Sequence, residues 1–206
     1  MDEHEPAEKK NYDLERLVFF SDGVFAIVIT LLVIELRPPA QWDGTFGGLW
    51  QSEWKALLAY ALSFLAVGVY WNLHRQLFRR IMRFHAGLVF FNLLLLCFVV
   101  LVPFATQLIL NAGRGPLGLY FALLILVGLS QSLLWAFAAF FADVVERSLS
   151  RAARLGLLIK ALGAPVVALI VLVATLSQVN IVWVVVIGVV LGVARRIVAR
   201  RLELRG

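Results

Sequence analysis

Few residues in this 206-residue sequence could do chemistry, and those that could stand in or beside long apolar runs where a polar group is costly. The first run opens Arg16-Leu17-Val18-Phe19-Phe20-Ser21-Asp22-Gly23, which sets a hydroxyl and a carboxylate about one helical turn inside it. The second closes Tyr70-Trp71-Asn72-Leu73-His74-Arg75, so an indole and an imidazole share a helical face at i, i+3. Asn92 stands near the start of the third. Indole and imidazole N–H groups donate, and a buried carboxylate or hydroxyl accepts. Ser21, Asp22, Trp71, His74 and Asn92 are therefore candidates for a hydrogen-bonded network between helices. Arg16 and Asp22 lie about 120° apart on one helix and cannot easily pair within it, so the carboxylate needs a partner from another helix or subunit. The plainer alternative is a structural cluster with Arg16 as neutraliser and Trp71 and His74 as interfacial anchors.

Bond-breaking chemistry finds no such support. No group of His, Cys, Asp and Glu has metal-ligand spacing, no glycine loop suits a phosphate, and no Ser/His/Asp arrangement stands out. A membrane enzyme is thus the weakest class, and neither a catalytic residue nor a cofactor is expected. Ala66-Val67-Gly68-Val69-Tyr70 is close to the potassium filter Thr-Val-Gly-Tyr-Gly. It begins with alanine, lacks the second glycine and lies inside a full-length apolar run with no re-entrant helix before it. Cys97, the only cysteine, is expected as a small buried hydrophobe.

The elements that must position these residues are membrane helices. With 62% apolar residues, 16% charged residues and a mean hydropathy of +0.90, the chain holds more apolar side chains than a soluble domain of this length could bury. They fall in six runs near the length needed to cross a bilayer: Leu17–Leu36, Trp54–Phe78, Gly87–Leu110, Leu117–Ala142, Leu155–Leu176 and Val179–Val198. None alternates with period two, which argues against a barrel and leaves helices to satisfy the backbone in lipid. The expected fold is an all-α integral membrane protein: a charged tail over residues 1–15, a six-helix domain over 16–201 and a short tail over 202–206. Without a basic stretch before it or a small-residue cleavage site after it, the first run reads as a retained span rather than a signal peptide. Pro103 and Pro165 are expected to kink their helices.

The net charge of +6 and pI near 10.0 describe orientation rather than nucleic-acid binding. With six spans, sixteen Lys and Arg residues fall on the side of the termini and only Arg37, Lys55 and Arg114 on the other. The positive-inside rule then places both termini in the cytoplasm of a cell-membrane protein whose basic side meets anionic lipid headgroups. Within the first run, Gly23, Ile27, Thr30, Leu31 and Ile34 form one stripe, from which Asp22 points about 140° away. A stripe of this kind can pack against another helix or line a pore.

Arg16-x-x-x-Phe20-Ser21-Asp22, continued by Gly23-Val24-Phe25-Ala26-Ile27-x-Ile29-Thr30-Leu31-Leu32-Val33-Ile34-Glu35, resembles the bacterial members of the transmembrane protein 175 family of potassium channels. Trp71-x-x-His74 and Pro103-Phe104-x-Thr106 are similar to that family too. The resemblance implies a homotetramer in which the first helix of each subunit lines a central pore selecting potassium without a carbonyl filter. It implies hydrophobic constrictions at Ile27, Leu31 and Ile34, with Ile27 the tightest point and Thr30 contributing to selectivity. Arg16, Phe20, Ser21, Asp22, Trp71, His74 and Asn92 would then be the motif and support that hold the first helix. Animal relatives carry two such repeats per chain; here the motif occurs once, and Phe141-Ala142-Asp143 lacks both the arginine and the apolar continuation. A secondary transporter and a proton path through Asp22 and His74 are the competing readings; the transporter lacks visible inverted repeats and interrupted helices.

Overall fold

The computed structural model describes residues 5–34, 36, 44–110 and 114–177, all of it helical or connecting. Helix α1 runs Glu5–Ile34, α2 Phe46–Phe78, α3 Ala86–Val99, α4 Val102–Leu110, α5 Arg114–Ala136 and α6 Arg151–Leu176. Five spans within these residues are long and apolar enough to cross a membrane: Tyr12–Ile34, Phe46–Phe78, Ala86–Ile109, Gly115–Phe141 and Arg151–Leu176. The protein is a multi-pass membrane protein. The sixth predicted run, Val179–Val198, lies outside the described residues.

Boundaries differ from the hydropathy runs because helices are set by caps and not by apolarity alone. The stretch from Glu5, assigned by its charge to the tail, continues α1. Thr45 starts α2 two turns before Trp54 by accepting the Gly48 N–H at 3.0 Å. Ser150 does the same for α6, four residues upstream of Arg154, through the Ala153 N–H. Pro103 has no N–H for the Val99 carbonyl, and the third span is interrupted at Val100–Leu101 between α3 and α4. Pro165 behaves differently: α6 continues through it, and its ring packs over Gly128 of α5. Cys97, expected buried, is exposed on α3, facing away from the Leu95–Leu96–Val99 core. A π-helical turn, Phe137–Phe141, ends α5, and Asp143 after it turns the chain with φ of 47°.

Two apolar clusters hold the helices. One joins Phe25, Val28 and Leu32 of α1 to Val67 and Tyr70 of α2, Leu95 and Val99 of α3, and Tyr120 and Val127 of α5. The other gathers Leu14, Leu17, Leu77, Leu88, Trp135 and Ala161 at the end where α2 meets α3 and α5 meets α6. The two loops at that end are stapled together. Ile81 and Val145 form an antiparallel bridge, Met82 N–H donates to the Val144 carbonyl at 2.8 Å, and Glu146 N–H to the Arg80 carbonyl at 2.9 Å. Ion pairs Arg80–Glu146 (3.1 Å) and Arg154–Asp143 (2.6 Å) reinforce it. The Arg154 hydrogen bond lowers the Asp143 pKa, and bonds from Ser148 and Arg80 lower that of Glu146. Carboxyls depressed in the fold stabilise it above their free values and lose that contribution as the pH falls through the depressed ones.

Gly128 of α5 is a point of close approach to α6. A Cβ on Gly128 would meet three atoms of the rigid proline ring at 2.5–2.8 Å. Gly128→Ala is expected to destabilise the protein by about 1–3 kcal/mol through overpacking, read as a lowered thermal midpoint in detergent; an unchanged midpoint would show that the helices do not pack this closely.

Candidate functional site

Helix α1 has two opposed faces. Leu14, Leu17, Ser21, Phe25, Val28 and Leu32, at spacings of three and four, are buried against α2, α3 and α4. On the other side Ile27 is 59% exposed, Leu31 40% and Ile34 66%, with Gly23, Thr30 and Phe20 also exposed. The stripe found by periodicity is therefore the face that this chain leaves uncovered. Thr30 Oγ1 donates to the Ile27 carbonyl at 2.8 Å, so its proton is used within the helix while its oxygen keeps lone pairs directed outward.

The buried face carries the polar groups. Asp22 Oδ1 accepts from Trp71 Nε1 at 2.8 Å, and the Arg75 guanidinium lies 5.1 Å from the Trp71 ring. One indole thus meets a carboxylate at its edge and a cation at its face. The neighbouring Ser21 begins a second chain. Its Oγ donates to the Leu17 carbonyl and accepts from Asn92 Nδ2, both at 2.8 Å, and Asn92 Oδ1 meets His74 Nε2 at 2.9 Å. An amide oxygen only accepts, so Nε2 carries the proton, and the His74 ring lies 5.6 Å from Phe25 and 4.3 Å from Phe78. Ser21, His74 and Asn92 are all at most 1% exposed.

Of the predicted residues, the structure brings together Ser21, Asp22, Trp71, His74 and Asn92. They form two short chains side by side, not one network. Arg16 and Phe20 stand apart from them, on the exposed side of α1, where the Arg16 guanidinium lies 5.6 Å from the Tyr12 ring. Together with Glu15, Phe19, Gly23, Val24 and Ile27 they line an open groove of about 630 Å³. Sequence reasoning missed Arg75 as the cation over Trp71, and it missed a second polar cluster deeper in the chain. There Thr106 Oγ1 is 2.8 Å from Ser63 Oγ, which is 3.0 Å from the Tyr120 hydroxyl; Tyr70 donates to the Leu124 carbonyl at 2.7 Å and Gln131 to the Tyr70 carbonyl at 3.2 Å. The signal was present: Ser63, Val67, Tyr70, His74 and Leu77 repeat at three and four and mark one buried face of α2.

The family described as endosomal/lysosomal potassium channel TMEM175 matches residues 16–103, which span every residue of both chains. A potassium channel of Streptomyces collinus is 34% identical over 163 residues, covering 73% of this chain and 78% of the relative. The chain belongs to the TMEM175 family. This is a family of ion channels and not of enzymes. The crystal structure of a homologue, from Chamaesiphon minutus, of the lysosomal potassium-selective channel TMEM175 superposes with a TM-score of 0.71 at 27% identity, covering 89% of this chain and 96% of that one. In animals the relatives are larger: the endosomal/lysosomal proton channel TMEM175 of Danio rerio is 36% identical over 110 residues, only 21% of its length.

If Asn92 bridges Ser21 and His74 as the TMEM175 fold here places it, Asn92→Ala leaves both buried partners short of a bond and lowers stability by about 2 kcal/mol. A double-mutant cycle with His74→Phe should show a coupling of about 1 kcal/mol in thermal unfolding; additive effects would contradict the contact.

Proposed function

We propose that the protein is a potassium-preferring cation channel in which four copies set their α1 helices around a central pore. The observation that carries the reading is the division of α1: Ile27, Leu31 and Ile34 lie uncovered on one face while Ser21 and Asp22 are bonded to α3 and α2 on the other. The chain's kinship with proteins named potassium channels supports it. Four copies would turn each side chain of the stripe into a ring. Rings of isoleucine and leucine offer no oxygen to replace a cation's water. Conduction then requires the ring at Ile27 to widen enough for a partly hydrated ion, and closure excludes water and raises a dewetting barrier. With Thr30 Oγ1 as the nearest polar contributor, selection reflects the dehydration cost of sodium against potassium and is weak. The permeant ion is the only ligand needed, and the support on Asp22, Trp71, Ser21, Asn92 and His74, with Arg16 and Phe20 at the motif's outer side, sets the angle of α1. Both termini sit in the cytoplasm and the channel in the cell membrane.

Proton conduction is the second reading, favoured by the name that animal relatives carry and by the buried His74, whose Nδ1 has no partner among the described residues. Flux from liposomes separates the two. Under a potassium gradient the protein should leak potassium faster than sodium, and Ile27→Asn should raise the leak severalfold by wetting the ring. No leak, or the same leak in Ile27→Asn and Ile27→Ala, would sink the channel reading. A saturable, gradient-coupled uptake would indicate a secondary transporter, and proton flux without potassium flux the second reading.

The support role makes a separate prediction. Asp22→Ala should reduce the fraction of tetramer on size exclusion while changing the potassium-to-sodium flux ratio by less than about twofold; a tetramer of normal stability would remove Asp22 from the support.

A further inference from the structure

Outside the α1 site, a second concavity is lined chiefly by cations. At the stapled end, Gln76 of α2, its C-cap Arg79 and the turn residue Arg80 line a cavity of about 440 Å³ with Leu157 and Lys160 of α6, within the range of small-ligand sites. The spacing accounts for it. Gln76 in the last turn of α2 is followed by Arg79 at the helix C-cap and Arg80 in the turn after it, and they line the cavity together with Leu157 and Lys160, three apart on one face of α6.

The charges there do not cancel. Arg80 is paired with Glu146 at 3.1 Å. Lys160 Nζ donates to the neutral Gln76 Oε1, and the Arg79 side chain has no acceptor among the described residues. Two cations thus share the cavity with no described carboxylate to balance them. Lys160 is also five residues past Leu155, where the apolar stretch of α6 begins, about 7.5 Å along the helix. An ammonium at that position keeps its head among polar groups, and the partner it has here is the neutral Gln76 rather than a carboxylate. Simple topology would be served by cations at the loop, as Arg147 and Arg151 are; it does not require one from α6 to be turned into a groove with one from α2.

We propose that this cavity is a binding site for a phosphate-bearing anion, with Arg79 and Lys160 holding the phosphate oxygens, Gln76 positioning Lys160 and Leu157 supplying an apolar floor. The same chemistry fits the headgroup of an anionic phospholipid and a soluble phosphate. Independent of any role of α1, occupation would clamp α2 to α6.

The test is thermal unfolding of the full chain in neutral detergent, titrated separately with phosphatidylglycerol, phosphatidylcholine and inorganic phosphate. Phosphatidylglycerol should raise the midpoint saturably and phosphatidylcholine should not. Arg79→Gln with Lys160→Gln should shift the half-saturating concentration about thirtyfold upward, at about 1 kcal/mol per cation, whereas Arg147→Gln with Arg151→Gln should leave it unchanged. If Lys160→Gln does not fold, Arg79→Gln alone should give about a fivefold shift. A response to inorganic phosphate with the same dependence on Arg79 and Lys160 would assign the soluble source. Equal responses to both lipids, an unchanged response in the cavity variants, or an equal loss in the Arg147/Arg151 pair would overturn the site.

Discussion

In lipid, no hydrophobic force fixes which side of a helix faces its neighbours, because hydrocarbon accepts an isoleucine as readily as another helix does. The rotation of α1 in this protein therefore depends on its polar bonds. Ser21 and Asp22 are adjacent, point to different neighbours and bond different donors: Asn92 on α3 and Trp71 on α2. Two bonds about 100° apart around one axis define an angle that a single bond would leave loose. With that angle set, Phe25, Val28 and Leu32 fall into the core and Ile27, Leu31 and Ile34 fall outside it.

The partners of those bonds have to be fixed as well, and the rest of the chain does this. Asn92 and His74 bond one another, and His74 is packed against Phe25 and Phe78. Trp71 has Arg75 over its face. Helix α2 is tied to α5 through Tyr70 and Gln131, and α5 to α6 through the proline ring seated on Gly128 and through Trp135, whose Nε1 donates to the Arg154 carbonyl at 3.0 Å. In membranes close approach at a small residue and interhelical hydrogen bonds replace the apolar driving force, and each junction here uses one or the other. The fifth helix thus serves α1 at second hand, by holding the helix that holds Asp22.

How far the sequence disclosed this depends on the physical range of each signal. Hydropathy marked all five described spans, since length and apolarity are local properties, and the cost of burying Ser21, Asp22, His74 and Asn92 singled those residues out before any contact was known. The angle of about 140° between Asp22 and Ile27 already implied that polar and apolar jobs lie on different faces of α1. Pairings were less legible. That Asp22 meets Trp71 and Ser21 meets Asn92 depends on how α1, α2 and α3 are rotated against one another, which no single helix encodes. Arg16 is seven residues from Gly23 and was grouped with Asp22 by the motif, yet it lies on the exposed side over Tyr12. The Ser63–Thr106–Tyr120 cluster draws one residue from each of three helices, and each alone looks like an ordinary membrane hydroxyl. The staple between Arg80–Arg83 and Val144–Glu146 joins residues more than sixty apart through backbone groups, which carry no sequence signature.

The placement of the bonds along α1 has a mechanical consequence. Ser21 and Asp22 lie toward the stapled end, whereas beyond them α1 is held by apolar contacts at Phe25, Val28 and Leu32, with no side-chain hydrogen bond to another helix among the described residues. Apolar contacts between helices in lipid resist sliding and tilting weakly, because the exchange of a leucine neighbour for a lipid tail costs little. A tilt of α1 pivoted at the level of Asp22 would displace each position in proportion to its distance from that level. Ile27 is about 7.5 Å along the axis from Asp22 and Ile34 about 18 Å, so Ile34 would move more than twice as far. A helix pinned in rotation at one end and free to lean at the other keeps the same face presented while the gap in front of that face changes. Were the stripe to line a pore, as proposed, that is the motion that would matter: rotation would exchange which residues face the gap, and lean would alter its width.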